Sequence, residues 1–457
     1  MSSASCTLGY APDTVRTPEA NAQGESGGRA RVSDGDPSTA DDERYDPLYD
    51  LCNGFDTRTL RQYQTFVDVF PPVDSRVALD FWQEANDALT EAKDEIREAF
   101  DDGEVLCEIG ARASREEAFR ALDLHGKYGR TANVLVLDVD ETLRSAGGTD
   151  NEIPRETLSI LTDLHEQGTP IVICTGQTLE NVKGFLVQGL GSELFHSGDL
   201  SVVYEAGTGA FTPGHGPETK RLLYEDLDES IRDVFYRLRS RTLPDAPERV
   251  RRECHLQGNE FNVTLKPNFE TGSERAIEVI DAALVYQTGL VGEAVSEADD
   301  VDTTPAEAAA WARAFYADAD PEIRSVLDAD GSLPTRAAGD VPRDLEAFFQ
   351  RIDVAYYEGD AAEVASYELN KVVGVEAAFD VLGLSDPFAL VLGDSKSDLR
   401  VMEWVAENDM GISGAPEHAS IDVLDHVIRT DELVFDRGDA ASVLTIVDAL
   451  NRLARLD

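Results

Sequence analysis

Short unbroken apolar runs stand out from an otherwise polar chain. Val134-Leu135-Val136-Leu137, Pro170-Ile171-Val172-Ile173-Cys174 and Phe388-Ala389-Leu390-Val391-Leu392 show no polar alternation, and Ser201 to Tyr204 is a shorter segment of the same kind. Such runs read as strands buried on both faces. Helical spacing separates them, over Thr157 to Glu166 and Leu179 to Leu186. Strand, helix, strand, helix, strand predicts an α/β fold with a doubly wound, Rossmann-like parallel sheet. Asp409 to Ile412 and His426 to Arg429 read as short further strands, and Ala440 to Leu453 as a closing helix.

The pattern changes between about 215 and 365. Asn259 to Leu265 and Ile352 to Tyr357 alternate like half-buried strands, and Ser273 to Leu284 is an amphipathic helix. Polar, acidic helices and loops fill the remainder. This predicts an α+β domain inserted into the sheet domain. Upstream, Phe81, Ala85, Leu89, Ala92, Ile96 and Phe100 recur at helical spacing, with Asp74 or Ser75 as candidate caps. A second helix is expected from Arg115 to His125, capped by Ser114. Residues 1–45 are poor in large apolar side chains and rich in Ser, Gly, Asp and Pro, the composition of a disordered acidic tail. The expected organisation is a tail (1–45), a helical extension (46–130), a core in two parts (131–214 and 366–457) and an insertion (215–365). A chain of 457 residues is long enough for roughly two or three domains.

Charge alters the picture more than length does. The chain carries 40 Lys+Arg against 89 Asp+Glu, a formal net charge of −49. Arginine supplies most of the positive charge, and the acids are spread over the whole chain. At low salt such a surface repels itself; at about 1 M the Debye length is only about 3 Å and the repulsion is screened. The composition resembles that of cytoplasmic proteins from haloarchaea, and a cytoplasmic location is expected. It argues against nucleic acid as a partner, because a phosphate backbone needs a basic face. No apolar run reaches the roughly 18 residues of a membrane span, so no membrane association is expected. No basic start followed by an apolar stretch marks a secretory signal. Five scattered cysteines form no CxxC pattern and read as free thiols, and the seven histidines never pair at ligand spacing. Gly207-Thr208-Gly209 is too short for a nucleotide-binding loop and reads as a flexible connection towards the insertion.

Ligands in open α/β sheets bind beyond the carboxyl ends of the strands. Three apolar runs end in polar signatures: Asp138-Val139-Asp140-Glu141-Thr142, Thr175-Gly176, and Gly393-Asp394-Ser395-Lys396-Ser397-Asp398. Lys371 precedes the last of these at the start of an expected helix. Phosphoryl transfer needs such a set. A carboxylate can attack phosphorus and split one hard step into two. A hard divalent ion held by oxygens offsets the phosphate charge. A second carboxyl group can exchange protons with the leaving oxygen and with water. A hydroxyl, backbone amides and an ammonium can hold the remaining phosphate oxygens.

The set resembles the haloacid dehalogenase superfamily: DxDxT at Asp138, Asp140 and Thr142, the strand-end Thr175, the lysine at Lys371, and GDxxxD at Asp394 and Asp398. The resemblance covers about 131–214 and 366–457. Asn370-Lys371-Val372-Val373-Gly374 and Gly393-Asp394-Ser395 look like the Cof and sucrose-phosphatase type, and the insertion lies where that type carries its C2-type cap. The resemblance implies Asp138 as nucleophile and metal ligand, and Asp140 as acid/base that also binds metal through its carbonyl. It further implies Thr175, Gly176 and Lys371 around phosphate, Asp394 as metal ligand, Thr142 and Asp398 in support, and Mg²⁺ as cofactor. The dehalogenases of the superfamily lack an acid at the place of Asp140, so its presence favours phosphate chemistry. Ser397 stands where the Cof-type loop commonly has Asn. The implied reaction is hydrolysis of a small, sugar-like phosphate monoester; transfer to a sugar acceptor, or a silent binding protein, are the alternatives.

Overall fold

The computed structural model describes residues 37–70, 76–144, 152–298 and 301–456. Among the described residues twelve strands form two sheets. The larger contains β1 (Val134–Leu137), β2 (Ile171–Cys174), β3 (Leu200–Tyr204), β4 (Gly209–Phe211) and β5 (Arg221–Leu222). It is completed by β10 (Ala389–Leu392), β11 (Gly411–Pro416) and β12 (Leu433–Phe435). Its order is β12-β11-β10-β1-β2-β3-β4-β5. The six strands from β12 to β3 are parallel, and β4 and β5 add an antiparallel edge. The chain runs outward from β1 through β2 and β3, then returns to its other side at β10. The switch point therefore lies between β1 and β10.

The unbroken apolar runs follow from burial on both faces. Leu135, Leu137, Ile171, Ile173, Leu390 and Leu392 face one way; Val134, Val136, Val172, Cys174 and Val391 face the other. The first face packs on the closing helix Ala440–Leu453 and on the helices upstream of β1, through Leu48, Leu51, Leu106 and Leu124. The upstream helices thus share the sheet's own core. The second face packs on Val375, Ala378, Val401 and Met402 of helices Lys371–Leu382 and Lys396–Glu407.

The smaller sheet is antiparallel, ordered β6-β7-β9-β8, from β6 (Cys254–Gly258), β7 (Asn262–Pro267), β8 (Ile352–Tyr357) and β9 (Ala361–Ser366). Helix Ser273–Ser296 covers it with Val279, Ile280, Ala283 and Leu284. Trp311 and Phe315 are partly buried against the same core, and Tyr316 is buried in it. Among the described residues no helix is long and apolar enough to cross a membrane.

Several expectations shift. Residues 1–36 and the candidate caps Asp74 and Ser75 lie outside the described residues. The first helix, Pro37–Gly54, begins inside the stretch expected as tail. Helix Arg76–Ala99 buries Leu89 and Ile96 of its stripe but leaves Phe81 63% exposed. Helix Arg115–Tyr128 starts as expected, and Ser114 forms a capping box with Glu117. His426 to Arg429 is no strand: it ends the helix Ile421–Arg429, because Val423, His426 and Val427 fall on one buried helical face. The strand there is β12, three residues long. Gly207-Thr208-Gly209 is a tight turn into β4, and the large sheet runs on to Leu222, past the boundary expected at 214. Gly207 has φ +97°, and a Cβ there would stand 1.9 Å from the Asn370 carbonyl oxygen. Its lack of a side chain lets this turn touch the start of the Lys371 helix.

Candidate active site

Asp138 follows β1 directly, and its amide donates to the Leu392 carbonyl of β10 (2.9 Å). The two strand ends are thereby tied together. Asp138 is buried, at 5% exposure. Lys371 is the first residue of its helix, where the Asn370 side chain accepts from the Val372 and Val373 amides (2.9 and 3.2 Å). That cap turns the lysine inward. Its Nζ donates to Asp138 Oδ1 (2.7 Å) and to Asp398 Oδ1 (2.5 Å), with all three side chains buried.

Asp398 is held in turn. Its Oδ2 accepts from the Ser395 amide (3.2 Å) and hydroxyl (2.6 Å), closing a capping box on the helix Lys396–Glu407. A Cβ on Gly393 would stand 2.3 Å from the Cβ of Asp398, so this approach requires glycine. Asp394, one residue after Gly393, has its carbonyl bonded by the Ser420 amide (2.8 Å).

One oxygen from each of Asp138, Asp394 and Asp398 lies within 4.8 Å of the others. A single ammonium faces three carboxylates. Burial pushes Asp138 well above the carboxylate range, Lys371 partly offsets this, and Asp398 and Asp394 add to it. Burial, reinforced by Asp398, pushes Asp394 up to about 7. Burial alone would pull Lys371 down, but the attraction of Asp138 and Asp398 outweighs it and holds the ammonium charged. The surplus negative charge in low dielectric, offered by hard oxygen donors, suits a divalent cation such as Mg²⁺. Asp138 and Asp394 have oxygens to spare for it. Both oxygens of Asp398 are already engaged, by Lys371 and Ser395.

Thr175 directly follows β2 and is fully buried; its Oγ1 accepts from the Gln177 amide (3.1 Å), which leaves its proton free to donate. A Cβ on Gly176 would point into open space. Thr142 is buried at 1% exposure. Asp140 is not in the lysine cluster. Its side chain, 48% exposed, is held by Arg144 and Gln177. Sequence reasoning missed both residues. In so acidic a chain an arginine four residues past an aspartate reads as a solvated ion pair, and Gln177 is marked only by following Thr175-Gly176. Glu141 between the motif residues has φ +58°, and its carboxylate meets Arg437 (2.8 Å) and His418 (3.3 Å). A non-glycine residue in that region marks local strain.

A small cavity of about 20 Å³ lies beside Lys371 and Ser397, lined also by Glu205, Asn262, Glu363, Asn370 and Arg400. Glu363 accepts from the Thr264 hydroxyl (2.9 Å), and burial raises its carboxyl group. Glu205, Asn262, Glu363 and Arg400 carried no motif.

Residues 135–203 match the family model described as haloacid dehalogenase-like hydrolase. No curated protein matches the chain by sequence. Among solved structures, the chain is similar to a HAD/COF-like hydrolase from Plasmodium vivax (15% identity, 74% of this chain and all of that one, TM-score 0.41). It is also similar to trehalose-6-phosphate phosphatase of Aspergillus fumigatus (13% identity, 75% of this chain and 99% of that one, TM-score 0.40). Thermoplasma acidophilum 0175 is a third (12% identity, 70% of this chain and all of that one, TM-score 0.38). The matched segment, β1 to β3, carries Asp138, Asp140, Thr142 and Thr175, and it is this segment that is similar to haloacid dehalogenase-like hydrolases.

Proposed function

We propose that the protein is a Mg²⁺-dependent phosphomonoesterase that works through an aspartyl-phosphate on Asp138. The observation that carries this reading is the contact of Asp138 with Lys371 inside the buried carboxylate cluster, at the ends of β1 and β10. Asp138 supplies the carboxylate oxygen that attacks phosphorus, with the Lys371 ammonium beside it. Asp138, Asp394 and the Asp140 carbonyl would hold the metal ion, which would supply positive charge against the phosphate and the attacking carboxylate. The Thr175 hydroxyl and Lys371 donate to the phosphate oxygens, with the Gly176 amide beside them.

The bond from phosphorus to the leaving oxygen breaks as the bond to Asp138 forms, and Asp140 gives its proton to the departing oxygen. Asp140 then takes a proton from water. The water oxygen attacks phosphorus, the bond to Asp138 breaks, and inorganic phosphate leaves. Acid/base help of this kind is worth about 10²–10⁴-fold. Asp398 holds Lys371, and Thr142 supports the turn.

The substrate is a small phosphate ester whose leaving group carries hydroxyls. Asn262, Glu363 and Arg400, which line the small cavity beside Lys371, support this, because side-chain donors and acceptors suit a leaving group that carries hydroxyls. In this reading residues 215–365 act as a C2-type cap whose sheet covers the bound substrate and excludes water. Replacing Asp138 by Asn tests the mechanism: release of phosphate from a phosphomonoester panel should be lost, and unchanged release would end it.

A further inference from the structure

Asp140 must exchange a proton, yet its side chain is half exposed at the start of a turn. Left alone, such a carboxylate would sample several rotamers. Here it does not stand alone. Gln177 Nε2 donates to Oδ1 (2.9 Å) and Oδ2 (2.6 Å). Arg144 donates to Oδ1 twice, from Nη2 (2.7 Å) and Nε (3.1 Å). Oδ1 thus receives three N–H groups, and Oδ2 receives one.

The two holders are themselves fixed. The Arg144 side chain is 9% exposed and lies over the Phe185 ring, 4.8 Å from its centroid. The Gln177 amide donates to Thr175 Oγ1 (3.1 Å), and its carbonyl accepts from the Glu205 amide (2.8 Å). The loop after β2 therefore delivers both the Thr175 hydroxyl and the amide that grips Asp140.

We propose that Arg144 and Gln177 are positioning residues for the acid/base step. They saturate Oδ1 and leave Oδ2, with a free lone pair, as the oxygen that gives the proton to the leaving group and later takes one from water. The inference rests on the phosphatase reading above. It adds that the proton-transfer geometry is set by two residues outside the shared motifs, one of them on the loop that holds Thr175.

Leaving-group chemistry tests this. An alkyl phosphate releases an alkoxide that needs a proton, whereas 4-nitrophenyl phosphate releases a stable phenolate that does not. The ratio kcat/KM covers only the steps up to departure of the alcohol, so it separates the acid role from the later base role. Gln177→Ala should lower kcat/KM on glycerol phosphate about 10- to 100-fold, since misplacing a reacting group by about 1 Å can cost 10²-fold. On 4-nitrophenyl phosphate the loss should stay within about threefold. Asp140→Asn should show the same selectivity, larger, and Arg144→Lys should keep more activity on glycerol phosphate than Arg144→Ala. Should the Arg144 variants fail to fold, the Gln177→Ala ratio decides. An equal loss on both substrates, or none, overturns the inference while Asp138→Asn is inactive on both; an active Asp138→Asn overturns the phosphatase reading itself.

Discussion

Replacing Lys371 by Met probes the centre of the site through stability. Lys371 is 3% exposed and bridges two buried carboxylates. Methionine keeps much of the volume and removes the ammonium. Breaking a buried ion pair by deleting one partner costs about 3–5 kcal/mol, because an uncompensated charge remains. Here two carboxylates lose their cation, so the upper part of that range is expected near pH 8. The loss depends on pH with a definite sign. Burial already raises Asp138, and Lys371 is the main force opposing that rise. Without Lys371 the folded carboxylate holds its proton more tightly still, while the unfolded one keeps a pKa of about 3.9. Between those two values the folded state binds more protons than the unfolded state, so stability falls as pH rises, by up to about 1.4 kcal/mol per pH unit per proton. The variant should therefore recover on acidification from pH 8 towards 5. Urea unfolding in EDTA and constant molar KCl, at pH 5, 6.5 and 8, gives the midpoints. A variant as stable as the wild type at pH 8, or one whose deficit does not shrink at pH 5, would refute this electrostatic account.

Three further outcomes follow from particular contacts. Gly393→Ala would place a methyl 2.3 Å from Asp398 Cβ, so it should cost about 1–3 kcal/mol in urea unfolding and lower activity with it; a neutral effect would mean that the loop yields freely. Mg²⁺ should raise the melting temperature of EDTA-treated protein, by the equivalent of about 2.7 kcal/mol at a hundredfold excess over Kd, and Asp394→Asn should remove most of that gain. With a net charge of −49, thermal stability should rise steeply from low to molar KCl, and a flat response would count against charge screening as the reason for the composition.

What the sequence made legible follows from what each segment buries. β1, β2 and β10 are short runs buried on both faces, and a run without polar positions has few other readings. The closing helix Ala440–Leu453 has the span expected of it, because its apolar stripe is long. Ile421–Arg429 was open to misreading, since Ile421 and Ile428 are exposed and blur the helical face formed by Val423, His426 and Val427. β12 is too short for any period. The lysine cluster was within reach because each member ends a strand or starts a helix. The holders of Asp140 were not: Gln177 lies 37 residues away, and only the parallel pairing of β1 with β2 brings the loop after β2 beside Asp140. Asn262 and Glu363 come beside Lys371 only in the tertiary fold, which no local pattern encodes.

The nucleophile itself is the most direct test. Phosphate release should be followed for wild type and Asp138→Asn in molar KCl, with Mg²⁺ or with EDTA, over a panel of sugar and alkyl phosphates. Turnover by the wild type that disappears in EDTA, and a rate at least about 10³-fold lower in the variant, is the predicted result for a residue that forms the covalent intermediate. A variant that hydrolyses the same esters at the wild-type rate would contradict the account.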